Sequence, residues 1–173
     1  IISVVKGTTG GPGQLKGKFG YKTIGSIALN CYQGVYSRIT DDLPIANLTE
    51  IALKQEITEG EAQILCTVDG NTPQLFSCNI EIRSSAFHSD TQNMTVTITD
   101  KKLLSKTGGI VQGMSGSPLL QNGKLIGAVT HVLIDDPTKG YAIFAENMLE
   151  TAQSLAKSNK LKVPYQQYYQ RHY

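Results

Sequence analysis

The residues best suited to covalent chemistry lie in Gly108-Gly109-Ile110-Val111-Gln112-Gly113-Met114-Ser115-Gly116-Ser117-Pro118. A serine hydroxyl is a weak nucleophile. It needs a base to take its proton and donors to hold the oxyanion that forms on attack. Small residues around Ser115 let the backbone turn sharply and bring amides close to a substrate carbonyl. In Gly-x-Ser-Gly-x-Pro the N–H groups of Gly113 and Ser115 are the candidate oxyanion donors. The loss of one such donor lowers turnover by about 10²–10³ in hydrolases. The plainer reading is a Gly/Ser-rich turn between strands. The nucleophile elbow Gly-x-Ser-x-Gly is not matched, because position 117 is Ser, and parallel-sheet periodicity is missing too.

Short strands and tight turns must position this loop. Downstream, Pro118–Gln121 and Lys124–Leu133 flank Asn122-Gly123, a strong two-residue hairpin signal. Upstream, residues 64–68 and 74–82 alternate apolar and polar around Asp69-Gly70, which predicts another hairpin. Residues 94–99 alternate again, with Met94, Val96 and Ile98 on one face. The chain opens with a strand at 1–5, a Gly-rich loop at 7–13 and strand-like pieces at 23–29 and 34–39. One helix is expected near 145–157, where Met148, Leu149, Ala152 and Leu155 recur at three and four. Residues 158–173 read as a Tyr-rich tail beyond a single 1–157 domain. The class is all-β, a sandwich or barrel.

Composition agrees. In 173 residues the charged fraction is 17%, there are 17 Gly and no Trp, and the net charge is +2. That charge is too small to argue for nucleic acid or an anionic membrane as partner. No apolar run approaches the roughly 20 residues of a spanning helix. Cys31, Cys66 and Cys78 form neither a CxxC pair nor a Cys/His cluster, which disfavours zinc. Buried free thiols are expected, with a Cys66–Cys78 bridge as the alternative. No metal or cofactor is called for.

At the Ser115 loop the chain resembles the SpoIVB serine peptidases of spore-forming bacteria. The similar stretch runs from Thr99-Asp100-Lys101 through Gly113-Met114-Ser115-Gly116-Ser117-Pro118 to Asn122-Gly123-Lys124-Leu125-Ile126-Gly127, Thr130-His131-Val132 and Asp136-Pro137, with further likeness at 7–15 and 62–70. The resemblance covers roughly residues 1–150. It implies a chymotrypsin-like double β-barrel whose first barrel is incomplete here, followed by a C-terminal helix. It makes Ser115 the nucleophile and Asp100, fifteen residues upstream, the acid of the triad. On local sequence alone Asp100 reads as a strand-end or capping residue. Thr130 and His131, on the strand after the nucleophile, become candidates for the specificity pocket, although packing alone would also explain His131.

The family's base is a histidine in a Gly-His motif ahead of the point where this sequence starts. None of His88, His131 and His172 stands in that context. An activated amino terminus of the trypsin kind is excluded, because the residue before the nucleophile is Met114 rather than Asp. By resemblance the substrate is a membrane-bound regulatory protein cleaved during sporulation signalling. The location is the space between the membranes around the forespore, reached by secretion, although this sequence shows no targeting signal. A protease fold that only binds peptide, lacking its base, is the alternative. A structural β-domain is the third reading.

Overall fold

The computed structural model describes residues 1–39, 48–84 and 90–158. In chain order these form β1 (Ser3–Val5), β2 (Gln14–Lys16), β3 (Gly25–Cys31), β4 (Gly34–Ile39), a 3-10 turn (Lys54–Glu56), β5 (Gly60–Cys66), β6 (Gln74–Ile82), β7 (Met94–Ile98), α1 (Lys101–Thr107), β8 (Pro118–Gln121), β9 (Lys124–Val132), β10 (Lys139–Phe144) and α2 (Ala145–Lys157). Strands β5 to β10 close into one barrel in the order β10-β7-β6-β5-β8-β9, with every pair antiparallel. The fold is therefore mostly β with a closed six-stranded barrel and a C-terminal helix. Of the expected two barrels one is closed. Ahead of it, β1–β2 and β3–β4 form separate two-stranded sheets.

Period-two alternation fills the barrel. Ala62, Ile64 and Cys66 on β5, Phe76, Cys78 and Ile80 on β6, and Met94, Val96 and Ile98 on β7 point inward and are buried. A barrel this small is packed by its own side chains. Fully burying such an aliphatic side chain contributes roughly 1.5–3 kcal/mol. Burial leaves Cys66 and Cys78 as free thiols, pushed up to about 11 and about 12, because a thiolate loses its hydration there. The Cys66–Cys78 bridge is not formed.

The Asn122-Gly123 turn has φ of +52° and +79°, the positive pair that a two-residue hairpin loop matching strand twist requires. The earlier hairpin differs from expectation. Its strands end at Cys66 and restart at Gln74, so Asp69-Gly70 lies inside a longer connection. Helix α2 has the expected bounds. Its entry is fixed by the buried Asn93, whose Oδ1 accepts from Phe144 N at 3.0 Å and Asn147 Nδ2 at 3.1 Å.

Helix α1 was not expected. It is short, but both ends are capped: Asp100 Oδ1 accepts from Leu103 N at 2.9 Å, and Gly108 closes the last turn at φ +77°. The His88 position and the Tyr-rich stretch 159–173, including His172, lie outside the described residues.

Candidate active site around Ser115

The Ser115 loop is anchored to the end of the barrel. Leu103 of α1, then Ile110, Val111 and Met114, are all buried and belong to the core cluster. These side chains close the barrel end at which β7 stops and β8 starts. Between the anchors the chain turns outward, and Gln112, Gly113, Ser115 and Gly116 are exposed. Gly113 (φ +96°) and Gly116 (φ +86°) adopt conformations that side chains disfavour. Gly109 has no room for a side chain at all: a Cβ would lie 2.1 Å from the carbonyl oxygen of Pro137.

The amides of the loop divide into two sets. Gln112 N donates to Gly13 O (2.9 Å), Met114 N to Val111 O (3.0 Å), Gly116 N to Val129 O (2.7 Å) and Ser117 N to Met114 O (2.9 Å). Among the described residues no acceptor takes the N–H of Gly113 or of Ser115. A trans peptide sets its C=O and N–H in opposite directions. The bond from Ser117 to Met114 O therefore also fixes which way the Ser115 amide points. The loop presents two unused donors on either side of a buried methionine, next to an exposed hydroxyl.

That hydroxyl donates to the carbonyl of Thr130 at 3.2 Å. Thr130 is the extra residue of a β-bulge: His131 pairs with Tyr141 and Val129 with Ala142, leaving Thr130 with no residue opposite. A bulge of this kind re-aims the groups it carries. The Thr130 carbonyl meets Ser115, while its Oγ1 lies 2.9 Å from Thr91 O and 3.1 Å from Tyr141 O. His131 is exposed, with Nδ1 2.9 Å from Thr130 Oγ1. Past Val129, β9 has β10 on one side and, among the described residues, no strand on the other, since β8 pairs only as far as Ala128. So Thr130 and His131 lie along an open strand edge beside Ser115. His131 makes no hydrogen bond with the Ser115 hydroxyl.

Asp100 is placed differently. It caps α1 through Oδ1, and its Oδ2 lies 3.5 Å from Ser77 N. It follows β7 and Ser115 precedes β8, so both stand at the same end of the barrel, on strands opposite one another in the six-strand ring. Among the described residues no hydrogen bond or ion pair joins Asp100 to Ser115 or to His131. The cap was legible in Asp100 and Gly108 as the two ends of a short helix. The Gly113 and Ser115 amides were named from the motif, but that no acceptor takes them depends on where the surrounding carbonyls lie.

Among the described residues no group of three or more His, Cys, Asp or Glu could hold a metal ion, and no helix is long and apolar enough to cross a membrane. A comparison with curated proteins finds no match. The profile of one family, SpoIVB peptidase S55, matches residues 1–149 and thus spans β1 to the first turn of α2, with the Ser115 loop inside it. This chain belongs to the SpoIVB peptidase S55 family.

Proposed function

We propose that the chain carries the nucleophile of a serine endopeptidase, with Ser115 attacking the scissile carbonyl of a protein substrate. The Ser115 oxygen bonds to the carbonyl carbon, its proton passes to a base, and the oxyanion is received by the amides of Gly113 and Ser115. As the intermediate collapses the base returns that proton to the departing nitrogen, the C–N bond breaks to release the amine, and the acyl-enzyme that remains is hydrolysed by water. The observation that carries this reading is the pair of unused amides flanking Met114 beside an exposed hydroxyl. Thr130 and His131, on the open edge of β9, are proposed to line the substrate channel. Asp100 is proposed as the carboxylate that orients the base. Capping α1 uses only part of the acceptor capacity of a carboxylate. Residues 1–157 are taken as the peptidase portion.

The finer assignments rest on family likeness: a membrane-bound regulator as substrate, sporulation signalling as the process, and the space between the forespore membranes as the place. The test uses the whole gene product that contains this chain. A fluorophosphonate should label Ser115, and Ser115→Ala should abolish labelling and lower turnover by about 10⁶. A folded gene product with unlabelled Ser115 would overturn the proposal.

A second reading is favoured by one contact: the Ser115 hydroxyl bonds to a backbone carbonyl rather than an imidazole. On that reading the loop and the β9 edge bind peptide without cleaving it. Saturable peptide binding by the whole gene product, with neither labelling nor turnover, would select it.

A further inference from the structure

We propose that the β1–β2 hairpin is a positioning element for the oxyanion pocket, acting through the Leu15 amide and side chain on the peptide between Gln112 and Gly113. This rests on the Ser115 reading and says what holds one of its two donors in place.

The hairpin is not built to bury surface. Its strands are three residues each, and of their six residues only Val4 and Leu15 are even partly buried. It is instead tied to the nucleophile loop by main chain. Gln112 N donates to Gly13 O at 2.9 Å, and Leu15 N donates to Gln112 O at 2.8 Å, a parallel bridge centred on Gln14 and Gln112. The second bond has a geometric consequence. Gln112 C=O and Gly113 N–H belong to one planar trans peptide and point in opposite directions. With the carbonyl held by Leu15, the Gly113 N–H must point away from the hairpin, and it is one of the two donors left unused. Among the described residues Leu15 N is the one hydrogen-bond partner of this peptide, and without it the peptide is free of that restraint and can turn over. A turned peptide would present a carbonyl oxygen to a developing oxyanion and repel it.

The packing is as close as the bonding. A Cβ at Gly113 would lie 3.2 Å from Leu15 Cβ, so the Leu15 side chain backs directly onto this residue. Gly13 admits no side chain, since a Cβ would lie 2.3 Å from Val5 O and 2.4 Å from Gly7 N. The sharp return that delivers Leu15 to Gln112 therefore requires glycine. The loop that joins the two strands is fastened too, by Gly7 N to Thr107 O at 2.8 Å and Gly10 N to Ile134 O at 2.9 Å. The hairpin spans the two segments on either side of the site and bonds to both.

The test separates the amide from the side chain. In the whole gene product Leu15→Pro removes the donor, Leu15→Ala removes the packing, and Leu15→Met retains both. Leu15→Pro should slow fluorophosphonate labelling of Ser115 and lower kcat by about 10²–10³, the effect of losing one oxyanion donor. KM for a peptide substrate should stay within about twofold of wild type. Leu15→Ala should show a partial loss, about tenfold, and Leu15→Met should match wild type. In the 173-residue chain, which needs no activity for this readout, Leu15→Pro and Leu15→Ala should move the amide resonance of Gly113 while those of Ile64 and Val96 stay in place. Wild-type labelling and kcat in both variants, or an unmoved Gly113 resonance, would overturn the proposal. A loss of activity matched by displacement of the Ile64 and Val96 resonances would overturn it as well, since the effect would then be one of folding. A wild-type protein that is never labelled at Ser115 would instead remove the reading on which the proposal rests.

Discussion

The barrel and the β3–β4 hairpin are written in the same alphabet and reach opposite ends. In the barrel, Ile64, Met94, Val96 and Leu119 have essentially no exposed surface. In the hairpin, Ile27, Val35 and Ile39 occupy positions on one face of the two-stranded sheet and remain 70%, 59% and 59% exposed. Only Tyr36, on the other face, is buried, and burial raises its phenol above the usual tyrosine value. β-Propensity makes both sets of residues extended. Burial requires a second surface to close over them, and a two-stranded sheet alone supplies none. The barrel closes by pairing β9 with β10 and β8 with β5, and so leaves unpaired only strand ends such as that of β9 past Val129.

The contrast gives three measurements, taken from the largest expected effect to the smallest. Leu119→Ala should destabilise the chain by about 2–5 kcal/mol, the range for truncating a fully buried leucine. Ile27→Ala should stay within about 0.5 kcal/mol, as for an exposed position. Paired denaturant titrations of the two variants would read both, and equal losses would mean that the hairpin face is covered in solution.

The cysteines divide along the same line. Cys66 and Cys78 are buried with raised thiol values, whereas Cys31 sits half-buried in the hairpin, its Sγ 3.6 Å from Gly34 O. At pH 8 the hairpin thiol should react with iodoacetamide while the barrel pair stays protected until the chain unfolds. Mass spectrometry of a timed reaction would show the order. Equal rates would mean that the barrel opens locally at β5 and β6.

The smallest effect is one of pH at the turn that supports the Ser115 loop. The Thr138 hydroxyl, with the Thr138 N–H, holds the Asp136 carboxyl below its usual value. A carboxyl lowered in the folded state adds stability above its unfolded pKa and loses it as pH falls through the folded value. Acidification below about pH 4 should therefore loosen the 136–139 turn. The amide of Ile110, bonded to Pro137 O at 2.7 Å, should then exchange faster. Protection of Ile110 that is unchanged down to pH 2.5 would separate that turn from the loop.

Much of this was written locally. Asn122-Gly123 dictates its own turn, because both residues tolerate positive φ. The alternation in 74–82 and 94–98 selects which side chains face inward, and the spacing in 145–157 makes α2. The Gly-rich run around Ser115 likewise announces a sharp exposed turn, since few other residues could follow that backbone. What neighbours along the chain cannot specify was decided by folding. Which strands close the barrel is one such matter, and the bulge that turns the Thr130 carbonyl toward Ser115 is another. The direction of the Gly113 amide belongs here most of all. It is set by Leu15, nearly a hundred residues earlier, through one hydrogen bond to the carbonyl of the same peptide. Turn and strand preferences act over a few residues. The orientation of a donor depends on where its peptide's other end finds a partner, and only the closed chain brings that partner near.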